Sequence, residues 1–213
     1  MSTYYIADLH FGHRSAIEFS SRPYETVEEM NKAFVENWNR RVKGNDRIYI
    51  LGDMFYRFEG YREILKQLNG EKHLILGNHD DSWLEEYTVN HKPESNENGE
   101  KTDTLPHKSY RLRDTKEDLC CYFKSVSKIL QITDGQVGCL LCHYPLLTYK
   151  HEKRLLMIHG HLHSDTTDPF FHHLVENEKL LNAGVDINGY MPVTLEELIE
   201  NNRIFKERYK RGE

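Results

Sequence analysis

Five short apolar runs in this chain each end in a residue that can bind a metal. Tyr5-Ile6-Ala7 leads into Asp8-Leu9-His10, and Tyr49-Ile50-Leu51 into Gly52-Asp53. Leu74-Ile75-Leu76 leads into Gly77-Asn78-His79-Asp80, and Leu140-Leu141-Cys142 into His143. Leu156-Met157-Ile158-His159 leads into Gly160-His161-Leu162-His163. Imidazole and carboxylate together suit manganese, iron, zinc or nickel and suit calcium poorly. Asp8 and His10 lie two apart, as do His161 and His163, so on an extended segment both members of each pair point the same way. A glycine before Asp53, Asn78 and His161 lets the chain turn sharply off each strand. Any one of these residues has an ordinary explanation. An Asp after a strand is commonly a turn residue or a helix cap, and a single His is commonly a surface or core side chain. Their recurrence after five successive apolar runs points to metal-assisted chemistry.

The elements that must position them follow from the hydrophobic pattern. Buried strands are expected at Tyr4 to Ala7, Arg47 to Leu51, His73 to Leu76, Val137 to Cys142, Leu155 to His159 and Lys179 to Leu181, with one or two more between Phe123 and Ile132. Val27, Met30, Phe34, Trp38 and Val42 recur at helical spacing, and Gly44-Asn45 ends that segment. Tyr61, Ile64, Leu65 and Leu68 mark a second helix, stopped by Asn69-Gly70. Thr194 and Glu197 form the signature of a capping box before Leu195, Leu198 and Ile199. Strands alternating with helices indicate an α/β fold. If the strands share one sense, their ends gather along one edge, where such folds place ligand sites. The chain is read as a single domain over residues 1–213. Within it, a polar stretch from about 89 to 118 is expected as a surface loop or insertion.

Composition narrows the function class. The 213 residues carry a net charge of −6 with both signs mixed along the chain. That argues against a strong nucleic-acid binder, which would show a basic patch, but leaves phosphate substrates open because metals can supply local positive charge. No run has the length of a membrane span, and Met1-Ser2-Thr3-Tyr4-Tyr5 is unlike a signal peptide, so a cytoplasmic location is expected. Cys139 and Cys142 frame Leu140-Leu141 in an apolar strand, which denies them the turn of a zinc knuckle; they read as reduced core residues.

The strings ADLHFGH, LGDM, LGNHD, CHYP and GHLH resemble, in order, the five signature blocks of the calcineurin-like metallophosphoesterases. The resemblance implies a four-layer α/β/β/α sandwich with two packed mixed β-sheets. It implies two divalent metal ions (Mn, Fe, Zn or Ni, with Mn expected to serve in vitro). Asp8, His10, Asp53 and His163 would hold one; Asp53, Asn78, His143 and His161 would hold the other, with Asp53 bridging. His79 matches the family's catalytic histidine, which with Asn78 helps hold the phosphate and assists the leaving group. Two dications less two aspartates and a bridging hydroxide leave a site near +1, attractive to a phosphate anion. Metals roughly 3.5–4 Å apart can clamp a phosphoryl group and lower the pKa of shared water toward about 7.

The second block, Gly52-Asp53-Met54-Phe55-Tyr56-Arg57, lacks the Asp-Arg-Gly extension of protein serine/threonine phosphatases and diadenosine tetraphosphatases. The small bacterial and phage phosphodiesterase-like branch fits better, and Asn182 to Pro192 resembles the stretch that closes those proteins and shapes the rim of the site. The expected partner is a phosphate ester, a nucleotide among the candidates, with a diester preferred because no arginine cluster meets a monoester's second charge. The alternatives are a phosphomonoesterase of the same fold, or a non-catalytic scaffold like the retromer subunit that resembles this family; that scaffold lacks the histidine present here as His79. His13 and Arg14 are candidates to reach substrate or to begin a helix. Asp80 is expected to cap the next helix, and His172-His173 to lie on a surface loop.

Overall fold

The computed structural model describes residues 1–89, 94–95, 101–102, 107–169 and 171–212. Its strands are β1 (Thr3–Ile6), β2 (Arg47–Ile50), β3 (Glu71–Ile75), β4 (Leu84–Val89), β5 (Glu94–Ser95), β6 (Lys101–Thr102), β7 (His107–Leu112), β8 (Ser125–Ser127), β9 (Ile129–Asp134), β10 (Val137–Cys142), β11 (Leu156–His159) and β12 (Leu180–Asn182). Its α-helices are α1 (Arg14–Phe19), α2 (Val27–Arg41), α3 (Tyr61–Gln67), α4 (Phe171–Glu176) and α5 (Leu195–Arg211). Among the described residues no helix is long and apolar enough to cross a membrane.

Two four-stranded sheets form the centre, in the orders β1-β2-β3-β8 and β12-β11-β10-β9. The second is mixed, with β9 antiparallel to β10 and β10, β11 and β12 parallel. The first pairs all four strands in parallel. Antiparallel pairing reaches it through the bridge between Tyr5 and Val193 on the free side of β1. Alternation along the strands then builds the layers. Tyr4, Ile6, Ile48, Ile50 and Leu74 face one way and pack with Met30, Phe34 and Trp38 of α2 and Ile64 and Leu65 of α3. Tyr5, Ala7, Tyr49, Leu51 and Ile75 face the other way and meet Leu141, Ile158 and Leu181 of the second sheet. Beyond that sheet, Met157 and Leu180 pack with Phe171, Leu174 and Val175 of α4. The sandwich is thus α/β/β/α, and β1, β2 and β11 are largely apolar on both faces because both faces are covered, whereas the edge strand β9 alternates exposed and half-buried residues.

Local chemistry fixes the ends of the elements. Thr194 accepts from the Glu197 backbone N–H while Glu197 accepts from that of Thr194, completing the expected box at α5. Thr26 caps α2 through the backbone N–H of Glu29. One expectation gains detail and one needs correction. Part of the stretch expected as a surface loop or insertion is strand: β7 pairs antiparallel with β4 along its length. The ribbon is held by opposite charges across it, with Arg111 Nε 2.7 Å from Glu85 Oε1 and Lys108 bound to Glu86, so polar side chains are compatible with pairing. The expected loop at residues 90–93, 96–100 and 103–106 lies outside the described residues. His172 and His173 lie not on a loop but on the exposed face of α4, whose other face buries Phe171, Leu174 and Val175. Cys139 is buried between the sheets and Cys142 against the α4 layer.

Candidate metal centre

The strand ends converge at one edge, and they do so through left-handed backbone. Asp8 (φ 57), His10 (φ 51), Asp53 (φ 53), His161 (φ 73) and His163 (φ 50) all have positive φ. Each such conformation costs a non-glycine residue of order 1 kcal/mol and persists only where surrounding structure enforces it. Asp8/His10 and His161/His163 therefore converge by tight turns, not by the alternation of an extended segment. Gly52 takes φ +87, as its place before a turn requires. Gly77 is needed for close approach instead: a Cβ there would lie 2.6 Å from the Asp53 nitrogen.

The donor atoms lie close together. Nε2 of His10 is 3.2 Å from Nε2 of His163 and 3.8 Å from Oδ2 of Asp53. The same Asp53 oxygen is 3.5 Å from Nε2 of His143 and 3.9 Å from Nε2 of His79. Oδ1 of Asn78 is 2.9 Å from Nε2 of His143. Asp8, His10 and His163 form one group able to hold an ion, and Asp8, Asp53 and His143 another. His161 stands beside them, its ring centroid 5.2 Å from that of His143, and its backbone N–H donates to both carboxylate oxygens of Asp8. His79 has a side chain 38% exposed and its ring 5.4 Å from that of His10.

Surrounding groups fix these side chains. Nδ1 of His143 donates to the Leu51 carbonyl at 2.7 Å, which leaves Nε2 as the lone pair facing Asp53. Nδ1 of His163 lies 2.8 Å from Oδ2 of Asp186, again leaving Nε2 turned inward. Arg22 ties Asp186 to the first strand end: its Nε donates to Asp186 Oδ1 at 2.8 Å, and its terminal nitrogens donate to the carbonyls of Asp8 at 2.7 Å and Leu9 at 2.9 Å. Asp80 is not a helix cap. Fully buried, it accepts from the backbone nitrogens of Gly77 (2.7 Å), Asp53 (3.1 Å) and Met54 (3.1 Å) and from Nε1 of Trp83 (2.9 Å). It joins the second and third strand ends.

Burial dominates the electrostatics. It raises the Asp8 carboxyl despite the imidazoles of His163 and His143. It lowers His10 and His161, so both rings are neutral and ready to ligate. His163 is the exception. Burial alone would lower it, but the hydrogen bond to Asp186 and the charge of Asp8 hold it up. A ligand set of this kind gives up a proton when it takes a cation.

Among the remaining candidates, His13 reaches the site edge: its Nδ1 is 3.4 Å from Nδ1 of His10 and its ring stacks on Tyr56 at 3.9 Å. Burial lowers it to about 4. Arg14 is exposed at the first residue of α1. His159 is buried and hydrogen-bonded to the Gly160 carbonyl at 2.9 Å. Sequence reasoning missed Tyr56, Phe19 and Tyr144. Tyr56 lies edge-on to His79 at 5.0 Å, Phe19 edge-on to His163 at 5.1 Å, and Tyr144 beside His161 at 4.7 Å.

Residues 1–187 match the calcineurin-like phosphoesterase family. The chain belongs to that family. Metal-dependent hydrolysis of a phosphoester is therefore its family chemistry, and the donor cluster lies inside the matched region. This calcineurin-like phosphoesterase is 29% identical over 211 residues to the uncharacterized protein MJ1445 of Methanocaldococcus jannaschii, covering 95% of this chain and 94% of that one. It is 34% identical over 83 residues to the Gene 66 protein of Mycobacterium phage L5, covering 37% and 40% of the two chains. In fold it is similar to the crystal structure of AQ665, a protein of unknown function from Aquifex aeolicus, with a TM-score of 0.60 and 23% identity over 93% of this chain and 97% of that one.

Proposed function

We propose that the chain is a phosphodiesterase that holds two divalent cations at the converged strand ends. The observation that carries this reading is the position of Asp53 Oδ2, 3.8 Å from His10 Nε2 on one side and 3.5 Å from His143 Nε2 on the other. One carboxylate oxygen thus faces both imidazole sets, as a bridging ligand must. Asp8, His10, Asp53 and His163 would hold one cation; Asp53, Asn78, His143 and His161 would hold the other. The fit rests on donor chemistry: the rings of His143 and His163 are tethered at Nδ1 and present Nε2, as carboxylates converge beside them. When bound, the pair of cations supplies positive charge for the phosphate and acidifies water at the site.

The chain's own residues supply the rest. The backbone N–H of His79 donates to Asp53 Oδ1 at 2.8 Å, which places its imidazole at the mouth of the cluster. From there the half-open ring can donate a proton or hydrogen bond to the departing ester oxygen. The amide of Asn78, beside His143, orients the phosphate. One cleft is lined by cluster residues and another by residues next to them in the chain. The first, of about 500 Å³, includes Phe19, His161 and His163; the second, of about 740 Å³, includes Gly77 and Tyr144. A diester brings two organic groups to the phosphorus, and two clefts suit it. Arg22, which could have met the second charge of a monoester, is committed to Asp186 and to backbone carbonyls.

The test is a manganese titration of metal-stripped protein, followed by turnover of bis-p-nitrophenyl phosphate and p-nitrophenyl phosphate. Two equivalents per chain and faster diester turnover are expected. A single equivalent sinks the paired-cation reading. Metal-replete protein inert on both esters, and on a wider ester panel, identifies a binding scaffold instead.

A further inference from the structure

We propose that the larger cleft receives an aromatic group of the ester, either an aryl ring or a nucleobase. This inference rests on the phosphodiesterase reading and names what such an enzyme would select. The cleft lies against the donor cluster: Gly77 and Tyr144 both line it, one immediately before Asn78 and the other immediately after His143. The Tyr144 ring centroid is 5.1 Å from that of His143 and 4.7 Å from that of His161, so the phenol forms the wall between cluster and cleft. On this proposal, one substituent of a phosphate held at the cluster would pass Tyr144 to enter the cleft.

The chemistry of the walls says what that substituent is. The volume of about 740 Å³ suits a small organic ligand. Several of the charged groups that border it are engaged by protein partners, while Asp81 and Lys128, the latter 3.9 Å from Glu86, are exposed charges of its lining. Asp80 accepts from four N–H groups, and Glu85 is paired with Arg111 and Lys116. Arg113 donates to the carbonyls of Asp81 and Leu84. The remaining surface is largely carbon, from Leu76, Leu84, Ile129, Tyr144 and Leu146. Ile129 and Tyr144 are 54% and 44% exposed, apolar area that a flat ring would cover. A phenol ring at the entrance favours an aromatic occupant over an alkyl chain, because offset or edge contacts between rings add to the burial.

Binding to the manganese-loaded full chain tests this by calorimetry, with methylphosphonate, octylphosphonate and 1-naphthylmethylphosphonate as probes. The naphthylmethyl compound is expected to bind about 10-fold more tightly than methylphosphonate, the scale of partly burying a ring. Ile129→Glu and Tyr144→Ala should each collapse that ratio, and Tyr144→Phe should keep it. Ile204→Glu, an exposed change on α5, serves as the surface control and should leave it intact. A ratio near one in the wild type, or a ratio untouched by Ile129→Glu, overturns the proposal. Octylphosphonate binding as tightly as the naphthyl probe overturns the aromatic assignment. Turnover of bis-p-nitrophenyl phosphate without the ratio would remove this inference alone. The ratio without turnover of any ester would instead remove the phosphodiesterase reading and leave the aromatic site.

Discussion

Asp186 holds His163 by its Nδ1 across 2.8 Å, and both side chains are largely buried. Burial would raise the Asp186 carboxyl, but the hydrogen bond from His163 and the charge of Arg22 outweigh it and hold the group below the usual carboxylate range. Asp186 thus stays ionised and fixes which nitrogen of His163 faces the cluster. Asp186→Asn should weaken manganese affinity by about 10- to 100-fold, the usual effect of removing a ligand's supporting hydrogen bond. It also strips a buried arginine of its partner, at a cost of about 3–5 kcal/mol, so binding should be measured at a temperature where melts show the variant folded. Loss of stability with unchanged manganese affinity would make Asp186 a structural residue only.

Asp80 carries a different load. Its carboxylate satisfies four buried donors from the second and third strand ends. Asp80→Ala would orphan all of them, each at about 1–3 kcal/mol before water compensates. The variant is expected to lose several kcal/mol in a denaturant titration, with Asp80→Asn losing less because its amide oxygen still accepts. Equal stability of Asp80→Ala and wild type would show that these donors find other partners.

Lys206 gives a pH signature remote from the centre. Its Nζ donates to the carbonyls of Asn177 at 2.8 Å and Leu180 at 2.6 Å, and burial lowers it to about 8. The unfolded chain holds this proton up to about 10.5, so between those values the unfolded state binds more protons than the folded state. Stability from this group therefore rises with pH from about 8 to 10.5 and is flat below. Relative to Lys206→Met, wild type should gain up to about 1.4 kcal/mol per pH unit in that window. Denaturant midpoints measured from pH 7 to 10.5 check it, and a constant difference would count against a buried ammonium.

The layers were readable because covered strands must be apolar on both faces, and the runs ending at Ala7, Leu51, Leu76, Cys142 and His159 are. The residues that follow these runs, Asp8, Asp53, Asn78, His143 and His161, were legible because they stand directly after them in the chain or one glycine beyond. Arg22 and Asp186 were not, since they act across 164 positions of chain and neither sits in a periodic pattern. Asp80 misled because an aspartate after a turn usually caps the next helix, and nothing local reveals that it folds back onto Asp53. The β4–β7 ribbon was hidden by its composition. Only its end at Leu84 and Leu112 is buried in the core, and its pairing is marked by partners such as Glu85 and Arg111, which local periodicity does not connect.

The role proposed for His79 can be separated from metal binding by experiment. Its imidazole is 38% exposed at the mouth of the cluster, and its Nε2 lies 3.9 Å from Asp53 Oδ2. It is held there by its own backbone bond to Asp53 and flanked by Tyr56. A group placed this way can reach a departing oxygen without being needed to hold a cation. His79→Ala should keep the manganese stoichiometry of the wild type and lose about 10²- to 10⁴-fold in kcat, the range for a general acid. The loss should be larger for poor leaving groups such as alkoxides than for p-nitrophenolate, which departs without protonation. A loss of bound manganese in His79→Ala would mean that the ring holds a cation. An equal rate loss for both leaving groups would mean that it stabilises the phosphate and donates no proton.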